Sequence, residues 1–369
     1  MEITVTNAQY HLDLPPGMPS CDVNPQRSSV WSLAAAKLRG DRAARRAVPS
    51  ANDVVTGCES IAPPHLQRVL SEQWHRRCKE RLVRALFDRP AERASLLSSS
   101  QRNTALWLTA LPTEARLRLH DYEIRAALRM RLHLPPRELD TLRTTACPCG
   151  GDLQRDPLHF HSCVLLKRTA VTVRHDLVLQ TLSALAGELC IPHKVEPRPL
   201  YIVGEGAKQS RQKPDLLLVT ANHRAAELLT DVAIVHPAAP SCVNTGLAER
   251  SLGAAKNRET RKQNKYGHLV RSEKRGVREL KAFVMESFGA FGPEADYVLK
   301  TMFKHAISDK SGDTPQLTEA RMFLAIALQR GNARIDRKGT EIISSLFDEL
   351  LPLPPHRPRG IAAAAFARR

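Results

Sequence analysis

Apolar and polar positions change rhythm several times along this chain, and each change marks an element. Residues 1–65 carry Pro, Ser, Asn and small residues with little periodicity and read as a weakly structured N-terminal segment. Residues 66–134 follow a helical rhythm. Within them Leu117, Ile124, Leu128 and Leu132 recur at roughly helical spacing, with Thr113 after Pro112 as an N-cap and Pro135-Pro136 as the stop. Arg116, Arg118, Arg125, Arg129 and Arg131 lie between those apolar positions, which predicts a buried stripe with a basic, solvated back. Residues 166–190 repeat the amphipathic helical pattern. The period then shortens. VEPRPLYIV, PDLLLVT and ELLTDVAIV are short β-rich runs between polar segments, KAFVM (281–285) is another, and helices are expected at 247–270, 291–306 and 314–330. No internal repeat is visible. Helix, strands, helix and strand in that order predict an α/β (α+β) domain with a central mixed sheet flanked by helices. The expected boundaries are 1–65, a helical linker at 66–140, a cysteine-rich knuckle at 141–165, the main domain at 166–335, and a C-terminal helix and basic tail at 336–369.

Charge narrows the function. The 369 residues hold 55 Lys and Arg against 38 Asp and Glu, a formal charge of +17, and an excess of this size favours a polyanionic partner, nucleic acid first. A merely soluble basic protein is the alternative. Arg39, Arg42, Arg45 and Arg46 read as a solvated helix face, with a nucleic-acid contact or a nuclear signal as the other readings. No apolar run reaches the ~18–20 residues of a membrane span, and the N-terminus lacks a basic stretch followed by an apolar one, so an intracellular protein is expected.

Five of the eight cysteines are scattered, but Cys147, Cys149 and Cys163 fall within 17 residues together with His159 and His161. Thiolates and a neutral imidazole suit tetrahedral zinc, and Gly150-Gly151 lets the backbone fold round an ion. Cys147, Cys149, His159 and Cys163 would close a structural site. His161 competes for the third place, but His159 leaves three residues before Cys163 and closes the chelate with less strain.

A second constellation is acidic. Asp215 opens the run Leu216 to Val219, and Asp231 opens Val232 to Val235. Two adjacent strands starting this way would bring both carboxylates to one sheet edge, where they could hold magnesium or manganese. Glu188 or Glu196 could add a third acid. A lysine is then needed to orient water or offset developing charge. The position two residues after the second acid is Ala233, so the lysine must come from the next helix, which offers Lys256, Lys262 and Lys265. Residues 250–281 set eleven Lys or Arg against three acids, so a basic helix that could hold a phosphate backbone, Arg258 and Arg261 among its residues, stands beside the acids.

Taken in order, WLTALPTEARLRLHDYEIRAALRMRLHLPP (107–136), CPCG, DPLHFHSC, RTAVTVRH, VEPRP, KPDLLLV, TDVAIVHP, KQNKY, FVMESFGAFGPEA and LQRGNA resemble the C-terminal part of non-LTR retrotransposon polyproteins that cut their target with a restriction-like endonuclease. The resemblance spans about 230 residues of the chain. It implies a helical linker, a CCHC zinc knuckle and a metal-dependent PD-(D/E)xK endonuclease in the nucleus, nicking DNA so that a 3′ hydroxyl primes reverse transcription. Carried over, Asp215 and Asp231 are the metal-binding acids and Lys262 the displaced lysine, with Lys265 and Glu196 as further candidates. Arg174 and His175 would brace the knuckle and contact nucleic acid, and Arg258, Arg261 and Lys265 would contact nucleic acid. Tyr266 and Glu286 are expected to pack rather than react. The partners implied are target DNA, element RNA and a reverse transcriptase acting in trans, because no Y-x-D-D stretch occurs in this chain. A truncated element or a separated fragment is expected, and the non-cutting alternative is a relic that binds DNA or RNA through its knuckle and basic helix.

Overall fold

The structure is a computed structural model and describes residues 66–142, 146–197, 214–220, 227–271, 278–306 and 314–350. The expectations for residues 1–65, Lys213, residues 272–277 and the tail from 351 lie outside the described residues. The chain divides into two units, Met1–Leu82 and Val83–Arg369. The described part of the first is most of helix α1 (Leu66–Ala85), where Arg68 pairs with Glu72 one turn on at 2.9 Å.

The second unit is mixed α/β. Its longer helices are α2 (Pro90–Ser99), α3 (Asp121–Arg131), α4 (Ala170–Glu188), α5 (Gly253–Arg271), α6 (Pro293–Ala306) and α7 (Pro315–Leu350). Its strands are β1 (His193–Val195), β2 (Leu216–Val219), β3 (Glu227–Val235) and β4 (Arg278–Glu286), in the sheet order β1-β2-β3-β4. β1 pairs with β2 and β2 with β3 antiparallel. β3 pairs parallel with β4 from Glu227↔Arg278 to Val235↔Glu286, and α5 lies in the crossover that a parallel pair requires.

Both sheet faces are covered, and the two-residue side-chain period decides what each face carries. Leu216, Leu218, Leu228, Val232, Phe283 and Met285 share a core with Val178 and Leu182 of α4, Leu299 of α6 and Leu328 of α7. The alternate positions Leu217, Leu229 and Leu280 pack on Tyr266 of α5, and Ala233, Ala282 and Val284 pack on Ala255 of the same helix.

Two expectations change. The first is the domain boundary at 335, which falls inside one continuous helix. α7 runs 36 residues, about 54 Å, because neither of its glycines breaks it. Each allows a close approach instead. A Cβ at Gly331 would lie 2.8 Å from the Cα of Arg174 on α4, and one at Gly339 would run into the Phe160 ring. The second is the apolar stripe. Leu117 is buried, but in a short 3-10 turn, while Ile124, Leu128 and Leu132 are 38%, 40% and 69% exposed. Helix α3 begins at Asp121 rather than after Thr113, and its buried face is Glu123, Ala127 and Met130. Glu123 turns inward because its carboxylate accepts the His120 N–H at 2.8 Å and the Tyr122 hydroxyl at 3.2 Å.

Candidate metal centre and acidic notch

The knuckle is built locally. The Gly150 N–H donates to the Cys147 carbonyl and the Cys147 N–H to the Gly151 carbonyl, both at 2.8 Å. That turn needs φ +89° at Gly150, and a side chain at Gly151 would strike the His159 ring. A 3-10 turn, His159–His161, returns the imidazole. Cys147 Sγ lies 3.8 Å and Cys149 Sγ 3.6 Å from Cys163 Sγ, with His159 Nε2 3.0 Å from Cys149 Sγ. All four donor atoms lie within 4.8 Å of one another. The sulfur–sulfur separations match the ~3.8 Å edge of a tetrahedron with ~2.3 Å zinc–sulfur bonds. Burial and the neighbouring sulfurs push the Cys147 thiol up to about 12, a crowding of charge that a bound cation relieves. The four residues therefore form a Cys3His cluster that could hold a metal and is compatible with zinc. His161 points elsewhere. Its Nε2 lies 3.1 Å from Asp336 of α7, and its ring sits 5.3 Å from that of His236.

The acids meet by register. Leu216 faces Thr230 across the antiparallel pair, so Asp215, one residue earlier, stands opposite Asp231. β3 itself starts at Glu227, so the expected pair of strands both beginning at an acid is corrected: Asp231 lies mid-strand, at the point where β2 ends its pairing. The Val232 N–H left free there donates to Asp215 Oδ2 at 2.8 Å. Asp215 and Asp231 share parity with Leu217, Leu229 and Ala233, so both carboxylates belong to the α5 face of the sheet. Ala233 packs on Ala255, and this contact of two small residues brings α5 close to the strand. Lys262 Nζ, two turns along α5, forms an ion pair with Asp231. The Tyr266 hydroxyl bonds to the same carboxylate. From the opposite side His175 on α4 reaches Asp215, Nε2 to Oδ2 at 3.2 Å, while its Nδ1 lies 3.0 Å from Asp176.

These groups line a 270 Å³ notch together with Arg258. Burial, then the charge of Asp215, raises the Asp231 carboxyl, with Lys262 and Tyr266 opposing. The hydrogen bond to Asp215 leads in holding His175 up, at about 9. Two facing carboxylates, one of them buried, in an open notch could hold a divalent cation, which would compete with the Lys262 and His175 groups that already pair with them.

The other expected residues are placed differently. Glu188 is exposed and paired with Arg116. Glu196 donates its N–H to the Asp215 carbonyl at 2.8 Å, but its side chain is exposed and does not line the notch. Lys265 donates to the Tyr266 hydroxyl at 2.8 Å and, like Arg258 and Arg261, is exposed on α5. Glu286 is buried and accepts the Ala255 N–H at 3.2 Å. The expected nucleic-acid contact at Arg174 is corrected. This residue is 2% exposed, and its Nη1 donates to Asn332 Oδ1 at 3.0 Å and lies 3.4 Å from His161 Nδ1, so it braces α4 against α7 and the knuckle. His175 is likewise committed to Asp215. Neither Asn332 nor the His175–Asp215 contact had a local sequence signal, since both join segments far apart in the chain. The chain matches no protein-family model and no curated protein.

Proposed function

We propose that the protein is a divalent-metal-dependent DNA endonuclease of the restriction-like PD-(D/E)xK type, which nicks target DNA for a non-LTR retrotransposon. One observation carries this reading: Asp215 stands opposite Asp231 on one sheet face, with Lys262 of the basic helix on Asp231. Asp215 and Asp231 would hold magnesium or manganese, which when bound supplies an acidified water and offsets charge on the phosphate. Lys262 would move from Asp231 to a phosphate oxygen and stabilise its developing charge. His175 fixes the rotamer of Asp215. Arg258, Arg261 and Lys265, exposed on the same helix, hold the phosphate backbone. The knuckle is a structural zinc site. Strand cutting in the nucleus would then serve a reverse transcriptase supplied in trans and its element RNA.

The second reading is a protein that binds DNA or RNA without cutting it. Two features favour it: Lys262 already neutralises Asp231, and neither Glu188 nor Glu196 lines the notch. A supercoiled-plasmid assay with magnesium or manganese separates the two. Wild type is expected to nick, and Asp215→Ala is expected to lose at least about a thousandfold in rate while still shifting DNA in a gel. Nicking that survives Asp215→Ala would sink the proposed site. A wild type that binds and never nicks would establish the second reading.

A further inference from the structure

A cavity lies away from both sites, in the cleft between α3 and α7. It measures 640 Å³. Tyr122, Arg125 and Arg129 of α3 form one wall, Arg137 follows from the loop beyond, and Arg337 stands on α7 opposite. Small side chains, Ala126 and Ala333 among them, lie between these walls and leave the space open. The α7 side of the lining extends from Ala333 to Ser345, about 18 Å of helix.

The charges in the cleft are not balanced from within. Arg125 and Arg137 are exposed, and no carboxylate pairs with either among the described residues. Of the three acids in the lining, Glu138 is exposed beside Arg137 and has a partner of its own, and the other two face other tasks. Asp336 turns inward to His161 at 3.1 Å, and Glu341 is shared by Arg337 and Lys338, each at 3.2 Å. Arg129 keeps Asp140 at 3.3 Å. Four arginines against the one remaining carboxylate, Glu138, make guanidinium the main group an arriving ligand meets, and a guanidinium fork suits phosphate geometry.

An aromatic surface adjoins the arginines. The Arg337 guanidinium lies 5.9 Å from the centre of the Tyr122 ring. The exposed His120 ring lies 6.1 Å from the Tyr122 ring and within 7° of parallel to it. Flat rings and guanidinium planes interleaved with free cations are the combination that holds unpaired bases and their phosphates together. A duplex hides its base faces and would leave the rings unused, and an acidic peptide would use the arginines alone. We propose that this cleft is a second nucleic-acid site, one that takes a single strand by phosphate contacts to Arg125 and Arg137 and by base stacking at His120 and Tyr122. It is independent of the cleavage reading, because it shares no residue with the acidic notch.

The test is fluorescence anisotropy with a labelled oligouridylate and, separately, a labelled DNA duplex, in an Asp215→Asn background so that neither probe is cut. Arg125→Glu with Arg137→Glu is expected to weaken oligouridylate binding at least about tenfold. The same pair should flatten its salt dependence by about 0.7 in log–log slope for each phosphate that is no longer neutralised. Tyr122→Leu is expected to weaken it about fivefold or more with the slope unchanged. Duplex binding should stay within twofold in both variants, and it should fall when Arg258 and Arg261 are changed to Glu. Three results would overturn the proposal: unchanged oligouridylate affinity in the double variant, loss of single-strand binding only on changing Arg258 and Arg261, or displacement of the probe by polyglutamate as readily as by unlabelled RNA. All the substituted arginines are exposed, and an unchanged zinc content and circular dichroism spectrum identify a folded variant.

Discussion

The knuckle and the acidic notch are both clusters of metal-seeking side chains, but they are assembled in opposite ways. The knuckle takes its four donors from 17 consecutive residues, and one glycine-dependent turn and one 3-10 turn bring them within 4.8 Å. The notch collects Asp215 from the start of β2, Asp231 from the middle of β3, Lys262 and Tyr266 from α5 and His175 from α4. A short chelate is specified by spacing and needs little of the fold. A notch drawn from four elements exists only after the sheet has formed and α4 and α5 have docked on it. Disturbances to the ion should therefore act on the knuckle as stability, and disturbances to packing should act on the notch as geometry.

The largest expected effect is removal of the knuckle ion. Binding at a structural zinc site is worth on the order of 10 kcal/mol to the segment it folds. Cys163→Ala removes a buried ligand that touches both other sulfurs. The purified protein is expected to carry one zinc per chain by mass spectrometry, and Cys163→Ala none. The variant should also lose hydrogen-exchange protection across residues 146–166, where Leu153, Phe160 and Leu166 pack with Ile335 and Ile343 of α7. Unaltered protection in a metal-free variant would mean three reduced thiols in an ordinary core, and the contrast with the notch would vanish.

The notch side of the molecule carries a different liability, which pH exposes. Glu259 is buried on α5 one turn before Lys262, and burial raises its carboxyl from 4.5 to about 7 even though it accepts the Glu294 N–H at 2.9 Å. Between those values the folded chain holds a proton that the unfolded chain has released. Stability from this group is therefore complete below pH 4.5 and falls as pH rises to 7. Glu259→Gln keeps the acceptor and cannot ionise. It is expected to stabilise the fold by up to about 3 kcal/mol at pH 8 and by little at pH 4. Thermal melts at the two pH values check it. An equal difference between variant and wild type at both would show that Glu259 titrates in the folded chain as it does in the unfolded one.

The sequence made some of this legible because certain signals are local. Four soft donors in one short segment name the knuckle, and the three-residue gap before Cys163 favours His159 over His161. The runs after Asp215 and Asp231 give two strands whose pairing sets the acids face to face. What stayed hidden depends on register and docking. Nothing near Arg174 says that its guanidinium meets Asn332 on a helix 158 residues later, or that His175 crosses to Asp215. The assignment of Arg174 to nucleic acid failed because a charged side chain is read as exposed until the element that buries it is known. Gly331 and Gly339 read as weak points in a helix, whereas they are the places where α7 comes closest to its neighbours.

Helix α3 offers the finest comparison, because there the periodic pattern itself misleads. Ile124, Leu128 and Leu132 sit four residues apart, and such spacing puts them on one face, yet that face is exposed and the buried one is Glu123, Ala127 and Met130. Two features reverse the reading. Helix α3 starts too late to include Leu117, and Glu123 is drawn inward by the His120 N–H, with Arg330 of α7 3.9 Å away. Leu117→Ala, at a buried position in the main core, is expected to cost about 2–4 kcal/mol. Leu128→Ala, by contrast, should change stability by no more than about 0.5 kcal/mol. Urea unfolding of the two variants measures both. A Leu128→Ala cost as large as that of Leu117→Ala would put the apolar stripe back in the core, and α3 would have to be turned about its axis to place it there.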